Sequence, residues 1–153
     1  MGRAHARAHG AFPPERFLAA LVDFGPRRGD VWGNSDPQHL VVHDRGDTWA
    51  EVTERSPAPG GVWQRLRYDW STSGLVTLDV VDSNAFGAGS RWTYRLEPDG
   101  RGGTDIDLTI VRVPTTPKGR VLDALLGLGG GWYFARDLRR SVRLLENRPD
   151  VPA

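Results

Sequence analysis

Between residues 62 and 113 the side chains alternate in character with a period of two, and the alternation recurs in four successive segments. One set of positions is apolar: Leu66, Tyr68 and Trp70, then Val76, Leu78 and Val80, then Trp92, Tyr94 and Leu96, then Ile106, Leu108 and Ile110. The intervening set is polar and includes Arg65, Arg67, Asp69, Thr77, Asp79, Arg91, Arg95, Asp105, Asp107 and Thr109. Successive side chains of a strand point to opposite faces, so these segments make a sheet with one dry face and one wet face. The dry face has to be covered.

Turn signals divide the middle of the chain into strands at roughly 39–44, 47–55, 62–70, 75–83, 90–97 and 104–113. Arg45-Gly46-Asp47, Ser56 to Gly61, Ser73-Gly74, Phe86-Gly87-Ala88-Gly89 and Pro98-Asp99-Gly100 are short connections, which predicts an antiparallel meander. Pro114 and Pro117 end the sheet. The cover is a final helix over about 118–147, with Val121, Leu125, Leu128, Trp132, Leu138, Val142 and Leu145 mostly along one face and Pro149 closing it. Pro13 and Pro14 open an earlier helix carrying Phe17, Leu18, Leu21 and Val22, and Gly25-Pro26 stops it. The stretch from Arg27 to Asn34, with Trp32, forms a second small helix. In residues 1–10, Ala4, Ala6 and Ala8 alternate with Arg3, His5, Arg7 and His9, which fits either a weak first strand or a basic tail. Residues 148–153 read as a tail. The expectation is one α+β domain over 1–153, and a strongly curved sheet around one helix leaves room for a cavity between them.

Composition removes whole classes of chemistry. The chain has no cysteine, which excludes disulfides, thiolate nucleophiles and cysteine-ligated metals and predicts a cytoplasmic setting. A formal charge of +1 gives no global attraction to nucleic acid or to acidic lipid. Arg136, Arg139, Arg140 and Arg143 suit the negative end of a helix dipole on a solvated face. No apolar run approaches the roughly 20 residues that span a bilayer, so no stable membrane insertion is expected. Nucleophile-elbow, zinc-protease, P-loop and dinucleotide fingerprints are missing, and no metal or other cofactor is expected. His5 and His9 alternate as a strand does, and His39 and His43 read as strand-surface histidines.

The order of elements resembles the helix-grip fold of the START-like superfamily, whose members include polyketide cyclase/dehydrase-like proteins, plant pathogenesis-related class 10 proteins and lipid-transfer domains. Local likeness to its bacterial branch lies in Leu21-Val22-Asp23-Phe24 leading to Trp32, and in Trp49-Ala50-Glu51-Val52-Thr53-Glu54. It lies also in Asp82-Ser83-Asn84-Ala85-Phe86-Gly87, and in Leu125-Leu126-Gly127-Leu128-Gly129-Gly130-Gly131. The resemblance implies a curved sheet of six to seven strands around the long C-terminal helix, with two short helices after the first strand. It further implies a ligand tunnel between sheet and helix, its mouth framed by Ser56 to Gly61 and Ser83 to Ser90. Trp32, Asn84, Phe86, Leu125 and Trp132 are candidate ligand contacts on that reading.

The inner rows supply the other candidates. Tyr68, Trp70, Trp92 and Tyr94 offer aromatic walls with a few polar handles. Arg112 continues the row of Ile106, Leu108 and Ile110, so it either turns inward to a carboxylate or a ligand oxygen, or snorkels from the strand end. Asp82 and Asn84 extend the row of Val76, Leu78 and Val80 and are its candidate partners. Gly129-Gly130-Gly131 is either a hinge or a site of close helix packing. The function expected is binding of a small hydrophobic molecule: a lipid, an isoprenoid or an aromatic polyketide-like compound. The alternative is a polyketide cyclase or dehydratase using Asp82, Arg112 or Tyr94 for proton transfer and enolate stabilisation. A third class is a partner-binding module, which requires an exposed apolar patch.

Overall fold

A computed structural model describes residues 2–57 and 61–148. The strands are β1 (Gly2–Gly10), β2 (Val41–Arg45), β3 (Trp49–Arg55), β4 (Trp63–Thr72), β5 (Leu75–Ser83), β6 (Arg91–Pro98) and β7 (Thr104–Arg112). They form one seven-stranded antiparallel sheet in the order β1-β7-β6-β5-β4-β3-β2. Helix α1 is Pro14–Leu21, and helix α2 runs unbroken over Pro117–Glu146. The expected second small helix is only a 3-10 turn at Arg28–Asp30. His39 lies in another, Pro37–His39, and not on the strand that carries His43. Both histidines are exposed. Pro149 and the rest of the expected tail beyond Arg148 fall outside the described residues, as do residues 58–60 of the expected mouth loop.

The dry face is as the alternation predicts. Leu66, Tyr68, Val76, Leu78, Val80, Tyr94, Leu96, Ile106, Leu108 and Ile110 are all buried. The wet face carries cross-strand ion pairs: Arg91 grips Asp79 with two bonds of 2.6 and 2.8 Å, and Arg65 meets Glu51 at 3.0 Å. The first residues are a strand: β1 pairs with β7 from Gly2 opposite Arg112 to Gly10 opposite Thr104. Ala4 and Ala6 are buried there, and α2 lies across them. Small side chains are what let a long helix come this close to a strand.

The expected stripe of α2 holds for one half only. Phe134, Leu138, Val142 and Leu145 are buried against the sheet. Val121, Leu125, Leu128 and Trp132 are exposed, Leu128 to 89%. The inward row of the first half is instead Gly119, Leu122, Leu126 and Gly130, a row at spacings of three and four that continues into Phe134 and Leu138. Heptad-like spacing of the exposed residues mimicked a core stripe. The glycines divide as well. A methyl group on Gly119 would collide with the backbone oxygen of Ala85, whereas Gly127 and Gly129 have open space around them. Gly130 is buried, and a methyl group on Gly131 would come 3.8 Å from the backbone oxygen of His5. Close packing therefore requires glycine at 119 but at none of the positions 129–131, where an added methyl group would make at most ordinary contacts.

Gly127→Ala should raise stability by about 0.5–1 kcal/mol, the helix-propensity difference. Gly119→Ala should lower it by about 1–3 kcal/mol through overpacking. Urea unfolding followed by tryptophan emission measures both, and equal effects would contradict this packing of α2.

Candidate ligand-binding site

The first half of α2 spans the sheet without filling the space beneath it. A cavity of about 390 Å³ lies there, far larger than the roughly 30 Å³ that one water occupies. Its walls are mostly apolar: Val62, Phe86, Trp92 and Ile110 from the sheet side, and Leu122, Leu126 and Phe134 from α2. Leu125 and Tyr133 line it as well and are half or more exposed, which marks the mouth. Two recesses of about 50 and 20 Å³ adjoin it through Asn34 and Trp92 and reach Trp32 and Tyr94. Tyr68 lines the larger recess.

Arg112 lines the cavity and is only 4% exposed, so the inward reading of this residue holds and the snorkelling one does not. Its acceptor is Asp123 of α2, at 2.9 Å from Nε, and not Asp82 or Asn84. The guanidinium also sits 5.9 Å from the centre of the Phe134 ring. Its two terminal nitrogens are buried and have no hydrogen-bond partner among the described residues. A buried donor left in that state costs about 1–3 kcal/mol, more when charged.

Asp82 fails to reach the site because the strand slips register. Arg65 pairs with Asp82 but Leu66 pairs with Val80, so Val81 is an extra residue. The bulge breaks the alternation, and Asp82 ends exposed, its carboxylate accepting from the Ser83 backbone at 2.9 Å. Asn84 is spent on the neighbouring loop, accepting from Trp63 N–H and donating to the Gly61 carbonyl. A second bulge follows Asp69, and Trp70 lines a separate cavity of about 250 Å³ near α1 with Leu18, Leu75 and Leu96. Trp132 is 69% exposed, its ring 5.4 Å from the Arg136 guanidinium, and it lines none of these spaces. Among the expected contacts, Phe86, Trp92, Arg112 and Leu125 line the main cavity, and Trp32, Tyr68 and Tyr94 the recesses.

Three polar residues of the site escaped the sequence reading. Arg28 is buried, and its guanidinium donates to Glu54 at 2.7 Å, to the Leu21 and Asp23 carbonyls at 2.7 and 2.8 Å, and to the Tyr68 hydroxyl at 2.9 Å. Tyr68 and Ser35 both donate to Glu54. Desolvation pushes the Glu54 carboxyl up, but the Arg28 charge and these hydrogen bonds outweigh it and hold the group below its usual 4.5. Burial pushes the Tyr68 hydroxyl well up, so it stays a neutral donor. The signal for Glu54 was present, since Ala50, Val52 and Glu54 share one face of β3. Asp137, half-buried on α2 beside the cavity, is the third: desolvation raises its carboxyl above the usual 3.8, against the opposing pull of Arg140. No group of three or more potential metal ligands forms among the described residues.

A curved antiparallel sheet gripping one long C-terminal helix, with a cavity between them, is the helix-grip fold that the order of elements leads one to expect. Zhui aromatase/cyclase from Streptomyces has the same fold, with a TM-score of 0.78 and 13% identity over 97% of this chain and 96% of that one. A protein of Thermus thermophilus matches with a TM-score of 0.71 and 19% identity over 95% of each chain. A START superfamily protein from Mycobacterium smegmatis gives 0.68 and 11% over 97% of each. No protein-family model and no curated protein matches at the level of sequence.

Arg28→Met should cost about 3–5 kcal/mol, because it leaves a buried carboxylate without its cation. The pH dependence should change sign. In the parent protein the depressed Glu54 carboxyl contributes stability above 4.5 that is lost as pH falls through its lower folded value. In the variant that carboxyl is raised instead, so stability should fall as pH rises above 4.5. Urea midpoints across acidic to neutral pH read out both slopes.

Proposed function

We propose that the protein binds a small, largely apolar molecule carrying a carbonyl or carboxylate oxygen, seated between the sheet and the first half of α2. The observation that carries this is Arg112, a buried cation at the wall of an apolar cavity with both terminal nitrogens lacking a partner among the described residues. Asp123 already balances its charge, so a neutral carbonyl is as acceptable there as an anion. The volume of about 390 Å³ lies within the range of small-molecule sites. Burying about 300 Å² of apolar ligand surface gives on the order of 7 kcal/mol before association costs, which a charge-assisted bond then supplements. Fatty-acid lipids, carbonyl-bearing isoprenoids and aromatic polyketide-like compounds have this form. Likeness in fold to an aromatase/cyclase supports the last of them.

A second reading, a polyketide cyclase or dehydratase acting in the same cavity, draws support from Asp137. Its carboxyl, raised by desolvation, lines the space that Arg112 lines, which sets a group capable of proton transfer near a cation able to stabilise an enolate. Asp82, exposed outside the cavity, has no part in that chemistry. Tyr94 is kept protonated by burial in the adjoining recess.

Arg112→Leu should weaken ligands with a carbonyl or carboxylate head by one to two decades, the equivalent of about 1.5–3 kcal/mol, and leave a hydrocarbon fluorophore almost unaffected. Calorimetric titration of both ligand types, with thermal melts to confirm folding, checks this. Equal losses for the two would make Arg112 structural. Under the enzymatic reading, Asp137→Asn removes turnover of a poly-keto substrate while binding persists.

A further inference from the structure

Val121, Leu125, Leu128 and Trp132 follow one another at spacings of four, three and four residues, so they form one ridge along α2. All four are exposed, Tyr133 stands half-exposed nearby, and no described element covers the ridge. The same line continues at four, three and four residues into Arg136, Arg139 and Arg143, all exposed. None of these three arginines is in an ion pair with another described residue. The acids of α2 before Glu146 are Asp123, turned inward to Arg112, and Asp137, beside the cavity. The outward face is therefore apolar along one half, cationic along the other, and free of acid from 121 to 143.

We infer that this face of α2 docks the protein on the surface of an anionic lipid bilayer. An aliphatic ridge with a tryptophan, flanked by arginine, is the pattern of a helix lying in the headgroup plane. Charge complementarity selects this occupant over a second copy of the chain. Two such faces meeting would set arginines against arginines or against the apolar ridge, with no carboxylate on either side to receive them. The ridge is also the convex side of a single helix, which a deformable bilayer accommodates without a matching groove. Its position adds a reason: Leu125 belongs both to the ridge and to the mouth of the cavity, so an apolar molecule leaving the bilayer enters without crossing bulk water. Docking is peripheral, since no helix among the described residues is long and apolar enough to cross a membrane. The inference does not depend on what Arg112 binds.

The full chain should sediment with vesicles of phosphatidylcholine and phosphatidylglycerol but not with phosphatidylcholine alone, and salt should release it. Combining Arg136→Gln, Arg139→Gln and Arg143→Gln should lower partitioning by roughly a hundredfold. Leu128→Glu with Trp132→Glu should abolish it, and both sets should stay folded because the positions are exposed, the arginine set melting slightly lower for want of cations at the negative end of the helix dipole. Binding of a hydrocarbon fluorophore in the cavity, measured on the same variants, should not change, which keeps failure here separate from failure of the ligand-binding reading. No sedimentation with anionic vesicles, or equal sedimentation of the ridge variant, overturns the inference. So does a dimer that Leu128→Glu dissociates, or an acidic protein that cross-links to the ridge while vesicles do not bind.

Discussion

One helix cannot cover the inner face of seven strands. The sheet buries a row of apolar side chains on every strand from β3 to β7, and the one long helix meets it closely along β1 and beneath Phe134, Leu138, Val142 and Leu145. Where α2 begins, nothing comparable reaches down, because the inward residues there are Gly119, Leu122 and Leu126. The cavity is the remainder of that mismatch in area. A protein interior normally tolerates few voids larger than a water, so a space of this size is a feature the chain keeps open at a cost in dispersion energy.

Two buried arginines, Arg112 at the main cavity and Arg28 at its smaller recess, differ in how fully they are bonded. Arg28 meets carboxylate, carbonyl and hydroxyl acceptors at every nitrogen, and with Glu54, Tyr68 and Ser35 it makes a closed polar cluster that locks the 3-10 turn to β3 and β4. Such a cluster is rigid because each member is satisfied. Arg112 is held by one bond from α2 and keeps donors in reserve. The contrast is between a guanidinium engaged at every nitrogen and one with donors to spare at the cavity wall.

The fold was legible because its determinants are local and periodic. Alternation placed β4 to β7, Pro117 marked the start of α2, and small residues hinted at β1. The failures have different physical causes, and composition encodes none of them. The extra residue at Val81 turned Asp82 outward, and Trp70, although on the inner face, lies at the α1 end of β4 beside Leu18 and lines a different cavity. Val121, Leu125, Leu128 and Trp132 are spaced as a core stripe would be, and only the glycines opposite them show which side of the helix faces the sheet. Arg28 lay in a Gly-rich stretch with no period at all, so its burial became visible only when Glu54 and Tyr68 were brought beside it.

The pairing of β1 with β7 has a consequence for how the molecule assembles. Residues 2–10 find their partner only in residues 104–112, about two-thirds of the chain away. Until that segment emerges from the ribosome, the first strand has no neighbour, and α2, which lies across β1, cannot seat either. The meander from β2 to β6 can form early, through short hairpins, with its apolar face open. Closing β1 onto β7 is a long-range step of the kind that slows folding and leaves intermediates exposed to aggregation. Bulky apolar side chains in residues 2–10 would make that waiting edge sticky. The alternation of alanine with arginine and histidine keeps it soluble until its partner arrives.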